Sequence, residues 1–393
     1  MTTSAQPPAT DAAPERLLTP AFLRLALADL GYFTAAGVAI YTLPVYVTGP
    51  VGSDKAGAGL AFGAFAVTAL VLRPFAGRLS DTRGRRPLLL GGTLVAAAAM
   101  LLTAHAQTLS MVVTLRLALG VAEAAFFVAS FAALADLAPP SRIGEALSYN
   151  SLGLYLGLAL GPPLGELLVR SLGYTAAWYG AAALLVVAAA FVHGIGETRA
   201  ARPATDVPAP LVHWKAVPPA LGFLASVVAM GGFLAFASLH ADAVGLHPSS
   251  VPIALYGVVV VVCRIVFARV PDRLPALPLG AAALAMIALG LVVMALWSST
   301  PGTVVGAALM GLGVTFSTPA FFSAVFATAS PAERGAASGT VSVALDLGLG
   351  GGPILLGLVA QGAGVPSAFL VAGGVALVGA LWSAALSGVL VRR

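Results

Sequence analysis

Apolar runs about twenty residues long recur along the whole chain, and they constrain it more than any other feature. An α-helix rises 1.5 Å per residue, so ~20 apolar residues cover the ~30 Å hydrocarbon core of a bilayer. Twelve such runs are legible, at approximately 20–47, 56–79, 87–105, 108–136, 143–169, 174–194, 216–240, 250–271, 275–298, 302–329, 336–361 and 366–391. Composition agrees: 59% of residues are hydrophobic and 9% charged, against about 25% charged in a soluble domain. A water-soluble globule is excluded. The 45 glycines and 27 prolines sit inside the apolar runs, where lipid-embedded helices tolerate them, so the low-complexity reading fails. The expected class is an all-α integral membrane protein with twelve transmembrane helices.

The few charges report topology. Alternate loops carry Arg78, Arg83, Arg85, Arg86, Arg142, Arg199, Arg202, Lys215, Arg269, Arg273 and Arg334, with Arg16, Arg392 and Arg393 at the ends; the intervening loops carry Lys55 and Arg170. By the positive-inside rule both termini are expected in the cytoplasm, with the chain a multi-pass protein of the plasma (cell inner) membrane. The net charge of +5 is scattered in short clusters, without the basic stripe of a nucleic-acid binder. Residues 1–19 contain Asp11 and Glu15 and no positive n-region, so they read as a cytoplasmic tail and not a cleaved signal peptide. Cys263 is the only cysteine, which rules out an intramolecular disulfide.

The one long hydrophilic break, residues 197–215 with Pro203, Pro208 and Pro210, divides a six-span bundle at 20–196 from a second at 216–391. The halves repeat. Arg73, Arg78 and Asp81 are matched by Arg264, Arg269 and Asp272 at a constant offset of 264 − 73 = 191, and Gly161-Pro162 recurs as Gly352-Pro353. Two six-helix parallel repeats imply an axis along the membrane normal and a substrate site between the halves near mid-membrane.

The loop between spans 2 and 3 reads Gly77-Arg78-Leu79-Ser80-Asp81-Thr82-Arg83-Gly84-Arg85-Arg86, which resembles the G-x-L-x-D-x-x-G-R-[KR] signature of the major facilitator superfamily. The resemblance covers essentially the whole chain. It implies that this loop is a cytoplasmic gate in which Asp81 bridges to arginines and faces the end of span 11; the second copy has Ala268 and Pro275 where the glycines stood. Span 4 holds Arg116 and Gly120, similar to the family's R-x-x-x-G motif, with Leu119 in place of the usual glutamine. Span 5 holds Gly157, Gly161, Pro162, Pro163 and Gly165, similar to the G-x-x-x-G-P-x-x-G motif of the drug:proton antiporter branch. Glu166 departs from that pattern. Glycine and proline in this spacing bend a helix and let it pack closely where a gate must rock.

Charge inside hydrocarbon is expensive, so Asp29, Glu123 and Asp346, deep in their spans, and Glu166, nearer an outer end, are candidates for function. Arg116 and Glu123 are seven residues apart and share one helix face, which suggests that they pair or line water. The family packs span 2 on span 11, and Arg73 and Asp346 lie at similar depth, so they are expected to form an ion pair. Asp29 has only Arg24 near it in sequence and is the first candidate for the proton site, with Glu123 and Arg116 also expected to take part in proton coupling. The chain contains Asn150, Gln6, Gln107 and Gln361 and no other side-chain amide, too few for a sugar site. Spans 1, 4, 7 and 10, which line the family's cavity, offer instead Tyr32, Phe33, Phe126, Phe127, Phe233, Phe236, Phe316, Phe321 and Phe322.

These features point to a monomeric, proton-coupled exporter of small apolar or amphiphilic compounds that needs no cofactor or metal. The alternatives are a proton-coupled metabolite importer and a non-transporting receptor or enzyme on the same scaffold. No GxxxxGK[ST], Gly-x-Ser-x-Gly or His-Glu-x-x-His motif occurs, so neither nucleotide-driven nor hydrolase chemistry has support.

Overall fold

The computed structural model describes residues 17–139, 142–199, 213–330 and 333–391. Most of the expected tail (1–19) and linker (197–215), and with them Arg16, Arg202, Arg392 and Arg393, lies outside the described residues.

Among the described residues the chain is all-helical, with twelve long helices: α1 Pro20–Thr48, α2 Lys55–Arg83, α3 Arg85–Thr103, α4 Leu109–Leu137, α5 Ile143–Leu172, α6 Tyr174–His193, α7 Val217–Ala243, α8 Val251–Val266, α9 Ala276–Leu296, α10 Thr300–Phe326, α11 Arg334–Ala363 and α12 Val365–Val391. Eleven are long and apolar enough to cross a bilayer, and α8 is a shorter apolar helix of 16 residues. Helix starts are fixed by side chains that accept an otherwise unpaired N–H. Thr19 accepts from Phe22, Asp54 from Gly57 and Ser299 from Gly302. Two tight junctions, α5–α6 and α11–α12, turn on Gly173 (φ 87°) and Gly364 (φ 85°), a backbone region that disfavours any side chain. They too are 191 residues apart.

The eighth element differs from the single span expected at 250–271. α8 ends at Val266, and a turn leads into a four-residue helix, Val270–Arg273. Pro271 explains the break: it has no N–H to give to the carbonyl of Phe267, and its ring crowds that carbonyl. Its counterpart in the first repeat is Ser80, through which α2 runs unbroken to Arg83.

Helices in lipid gain little from hydrophobic burial and associate through close packing of small residues. The two halves meet along α2 with α11 and α5 with α8, and α1 touches α7. On the α2–α11 seam, a Cβ at Gly59 or Gly63 would strike the carbonyl of Pro353 or Gly350, and Gly350 rests on Ala66. The α5–α8 seam repeats that last contact, with Gly257 on Ala159 at the same register.

Candidate functional site: a charged cluster where the halves meet

Asp346 lies twelve residues into α11, ~18 Å from its start, and is 2% exposed. Arg73 of α2 meets it side-on, Nε to Oδ2 at 2.7 Å and Nη2 to Oδ1 at 2.9 Å. One hydrogen bond, from Nη2, and one close ion-pair contact, at Nε, thus join the two side chains. The guanidinium also lies over the Phe127 ring, 4.4 Å from its centroid. Beside this pair, on α4, the half-buried Glu123 accepts a hydrogen bond at 3.0 Å from the Tyr32 hydroxyl of α1. Tyr32 is held by stacking on Phe126, centroids 3.9 Å apart and planes 3° from parallel. Glu123 is in electrostatic reach of Arg73 and Arg116, and Asp346 is in reach of Glu123. Four helices, one from the other half of the molecule, thus converge on one carboxylate.

Several expected site residues are placed differently. Arg116 does not pair with Glu123: two helical turns separate them by ~10 Å, and its guanidinium donates to the Ala61 and Phe62 carbonyls of α2 at 3.1 Å each. Asp29 is 1% exposed and is bonded by the Ser130 hydroxyl at 2.8 and 3.0 Å; Arg24, its sequence neighbour, donates to the Gly194 carbonyl. Of the expected cavity aromatics, Phe126, Phe233, Phe236 and Phe321 are completely buried. They are packing here: the Phe321 ring fills the space left by Gly222 and Gly280, and Phe233 lies 5.4 Å from Tyr256. Tyr32 and Phe33 are nearly closed over, while Phe127, Phe316 and Phe322 stay partly exposed.

The glycine-rich stretch of α5 faces α1. A Cβ at Gly157, Gly161 or Gly165 would run into the backbone of Phe33, Gly37 or Val38, so these helices touch backbone to backbone. Next in the chain, Glu166 is 3% exposed and accepts from the Ser249 and Ser250 amides at the start of α8, at 2.9 and 2.8 Å. Tyr41 reaches the Ser249 hydroxyl at 3.2 Å, and Gln361 of α11 accepts from the first amide of α2, Lys55, at 3.1 Å. These contacts clasp the halves together on the face opposite the termini, beside a crevice of about 460 Å³ lined by Pro163, Leu167, Arg170, Val251 and Ala254.

On the terminal face the segment from Gly77 to Arg86, which is the end of α2, Gly84 and the start of α3, is tied within its own half. Arg85 bridges Asp81 at 2.7 Å and Asp136 of α4 at 3.1 Å. Arg199 donates to the Asp81 and Thr82 carbonyls, and Arg86 to the His193 carbonyl. Asp81 is 73% exposed, and these partners, not the end of α11, hold the segment in this conformation. Glu197, a residue the sequence did not single out, accepts from the Arg85 and Arg86 amides at the start of α3.

The sequence profile of the Major Facilitator Superfamily matches residues 25–350. The chain belongs to that superfamily. It is 28% identical over 361 residues to an MFS-type transporter of Salmonella typhimurium, covering 89% of this chain and 92% of the relative. It is 30% identical over 384 residues to one of Burkholderia mallei, covering 92% and 89%. Among solved structures, the human organic anion transporter MFSD10 superposes with a TM-score of 0.72 at 20% identity, over 95% of this chain and 100% of that one. A POT family transporter bound to a peptide conjugate gives a TM-score of 0.80 at 10% identity, over 93% and 96%. This facilitator chain is therefore a secondary transporter in a lipid bilayer and not an enzyme, and the charged cluster is where its two halves meet.

Proposed function

We propose that the protein exports small apolar or amphiphilic compounds in exchange for protons, as a monomer, with both termini in the cytoplasm and the Glu166 clasp at the outer surface. Glu123 carries this reading. It is the half-buried carboxylate of the cluster, hydrogen-bonded by Tyr32 and sensed by the arginine that bridges the halves. Adding or removing its proton changes the field on the Arg73–Asp346 pair, and with it the balance between conformations; that is the differential interaction a coupled transporter requires. Asp29, sealed and bonded to Ser130, is better placed to hold α1 on α4 than to exchange protons with water. Few amides, and the partly exposed Phe127, Phe316 and Phe322, favour an apolar or amphiphilic cargo. The clasp at one face and the exposed Asp81 at the other suit a state open toward the cytoplasm, ready to load cargo for export. The solved neighbours named for organic anions, nucleosides and peptides share the fold and do not choose among cargoes.

The test is substrate-induced proton release from purified protein, screened over dyes and antibiotics, with flux direction read in inverted vesicles. Release that survives Glu123→Gln undiminished removes Glu123 as the coupling group. Uptake into cells driven by an inward proton gradient identifies an importer instead.

A further inference from the structure

The two seams place equivalent residues at equivalent positions. Arg264 of α8 is the counterpart of Arg73 (264 − 73 = 191), and the counterpart of Asp346 on α5 is Tyr155 (346 − 155 = 191). The geometry follows the register: the Arg264 guanidinium lies over the Tyr155 ring, 4.6 Å from its centroid. Among the described residues, what the second seam lacks is the acid. Arg73 presents its Nε–Nη2 edge to a carboxylate, with a hydrogen bond from Nη2 and Nε in ion-pair contact at 2.7 Å, whereas the Nε and Nη2 of Arg264, that same edge, are buried and, among the described residues, have no hydrogen-bond partner. The counterparts of Tyr32 and Glu123 carry no acid either. Phe223 stands where Tyr32 stands in the first half (223 − 32 = 191), and Val314 where Glu123 stands (314 − 123 = 191). An arginine fork buried without an acceptor is costly, and an arriving carboxylate, sulfonate or phosphate relieves that cost with two charge-assisted bonds.

We infer that Arg264 is the anion-recognition residue of the cargo site, so that the preferred cargo is an amphiphilic organic anion whose acid group takes, on the α5–α8 seam, the place that Asp346 takes on the α2–α11 seam. This rests on the transporter reading above and narrows its substrate class. Tyr155 covers the fork in this conformation, so the anion engages it when α5 and α8 part. Its apolar body then meets the Tyr155 ring. A neutral analogue of the same shape finds the same aromatic surface and leaves the fork unsatisfied.

The experiment compares 8-anilinonaphthalene-1-sulfonate with N-phenyl-1-naphthylamine, which share one aromatic body and differ by the sulfonate. Binding to purified protein in nanodiscs is followed by fluorescence, after subtraction of empty nanodiscs. Arg264→Gln should weaken the sulfonate by about tenfold or more and leave the neutral probe unchanged, and Arg264→Lys should fall between. Tyr155→Asp supplies the fork with an internal carboxylate; it should abolish sulfonate binding while raising the melting temperature, a gain that a damaged fold would not show. Equal binding of the two probes by wild type, or equal loss of both in Arg264→Gln, overturns the inference. Proton release driven by any cargo in wild type tests the transporter reading separately, since it can persist when the sulfonate preference fails.

Discussion

The α2–α11 and α5–α8 seams have the same steric plan and different electrostatics. In both, a glycine on one helix rests on an alanine of the other at matching register, Gly350 on Ala66 and Gly257 on Ala159. In both, an arginine of the even-numbered inner helix, Arg73 or Arg264, reaches across at the same depth. The first seam then closes with a bidentate ion pair flanked by Tyr32 and Glu123, and the second with a tyrosine ring flanked by Phe223 and Val314. Packing in lipid leaves each half few alternatives, because a Cβ in the wrong place drives the backbones apart. Charge is freer to differ. On the function proposed above, the asymmetry gives the halves different work: Tyr32, Arg73 and Glu123 of the first respond to protons, and Arg264 of the second receives the cargo's acid group.

The sharpest way to break the comparison is to break the ion pair. Arg73→Gln and Asp346→Asn each leave one charge unpaired at mid-membrane, and each should cost about 3–5 kcal/mol and abolish transport. The double variant should recover part of the melting temperature, as a thermal unfolding series will show; a double variant no better than the worse single would mean that the two residues act independently. Gly161→Val comes next. It pushes a branched side chain into the Gly37 backbone, so α1 and α5 must separate or the bundle must misassemble, and the expected result is a large loss of folded protein on size exclusion. The control Gly351→Val, where a Cβ meets nothing within 4 Å, should be tolerated.

The clasp gives a smaller effect. Glu166→Gln keeps the size but weakens charge-assisted bonds to the Ser249 and Ser250 amides, by about 1–3 kcal/mol. Alkylation of a Tyr41→Cys variant should accelerate when Glu166→Gln is added to it, as the far face opens more often; an unchanged rate would show that the glycine seams alone hold that face shut. The smallest effect belongs to Glu197, outside the membrane. Burial pushes its carboxyl up, but amide donors from Arg85, Arg199, Arg86 and Thr198 outweigh it and hold the group below its usual 4.5. A depressed carboxyl contributes stability that is present above its unfolded value and lost as pH falls through its folded one. Wild type should therefore lose this contribution only below about pH 4.5, and Glu197→Gln should be slightly less stable at pH 7 and indistinguishable once the pH is well below the folded value. Equal melting temperatures at pH 7 would reduce the contact to an ornament of the loop.

Much of this is legible in residue types and their spacing. Charges are so rare in the chain that three in a 191-residue register identify the repeat, and counting residues inward from the helix ends brings Arg73 and Asp346 to one depth. Other features leave no trace there. Arg116 is satisfied by the Ala61 and Phe62 carbonyls, and every residue has a carbonyl. Whether a phenylalanine lines a cavity or plugs one depends on its helix's rotation, and α4, α7 and α10 are too uniformly apolar to reveal it; hence Phe126, Phe233, Phe236 and Phe321 are sealed where a lining was expected. The break after α8 was readable in Pro271, and Tyr155 was one subtraction away from Asp346.

The glycine contacts between the halves, at Gly59, Gly63 and Gly350 and at Gly257, bear finally on speed. Where side chains interlock, sliding one helix over another means that many of them must change rotamer together, and the barrier grows with each. Where backbone lies on backbone, almost nothing has to be re-sorted, so the helices act as smooth bearing surfaces. On the transport function proposed above, rocking of one half over the other then meets its main resistance at a few polar latches, and turnover is expected to follow how quickly those latches release, not the friction of the interface they hold closed.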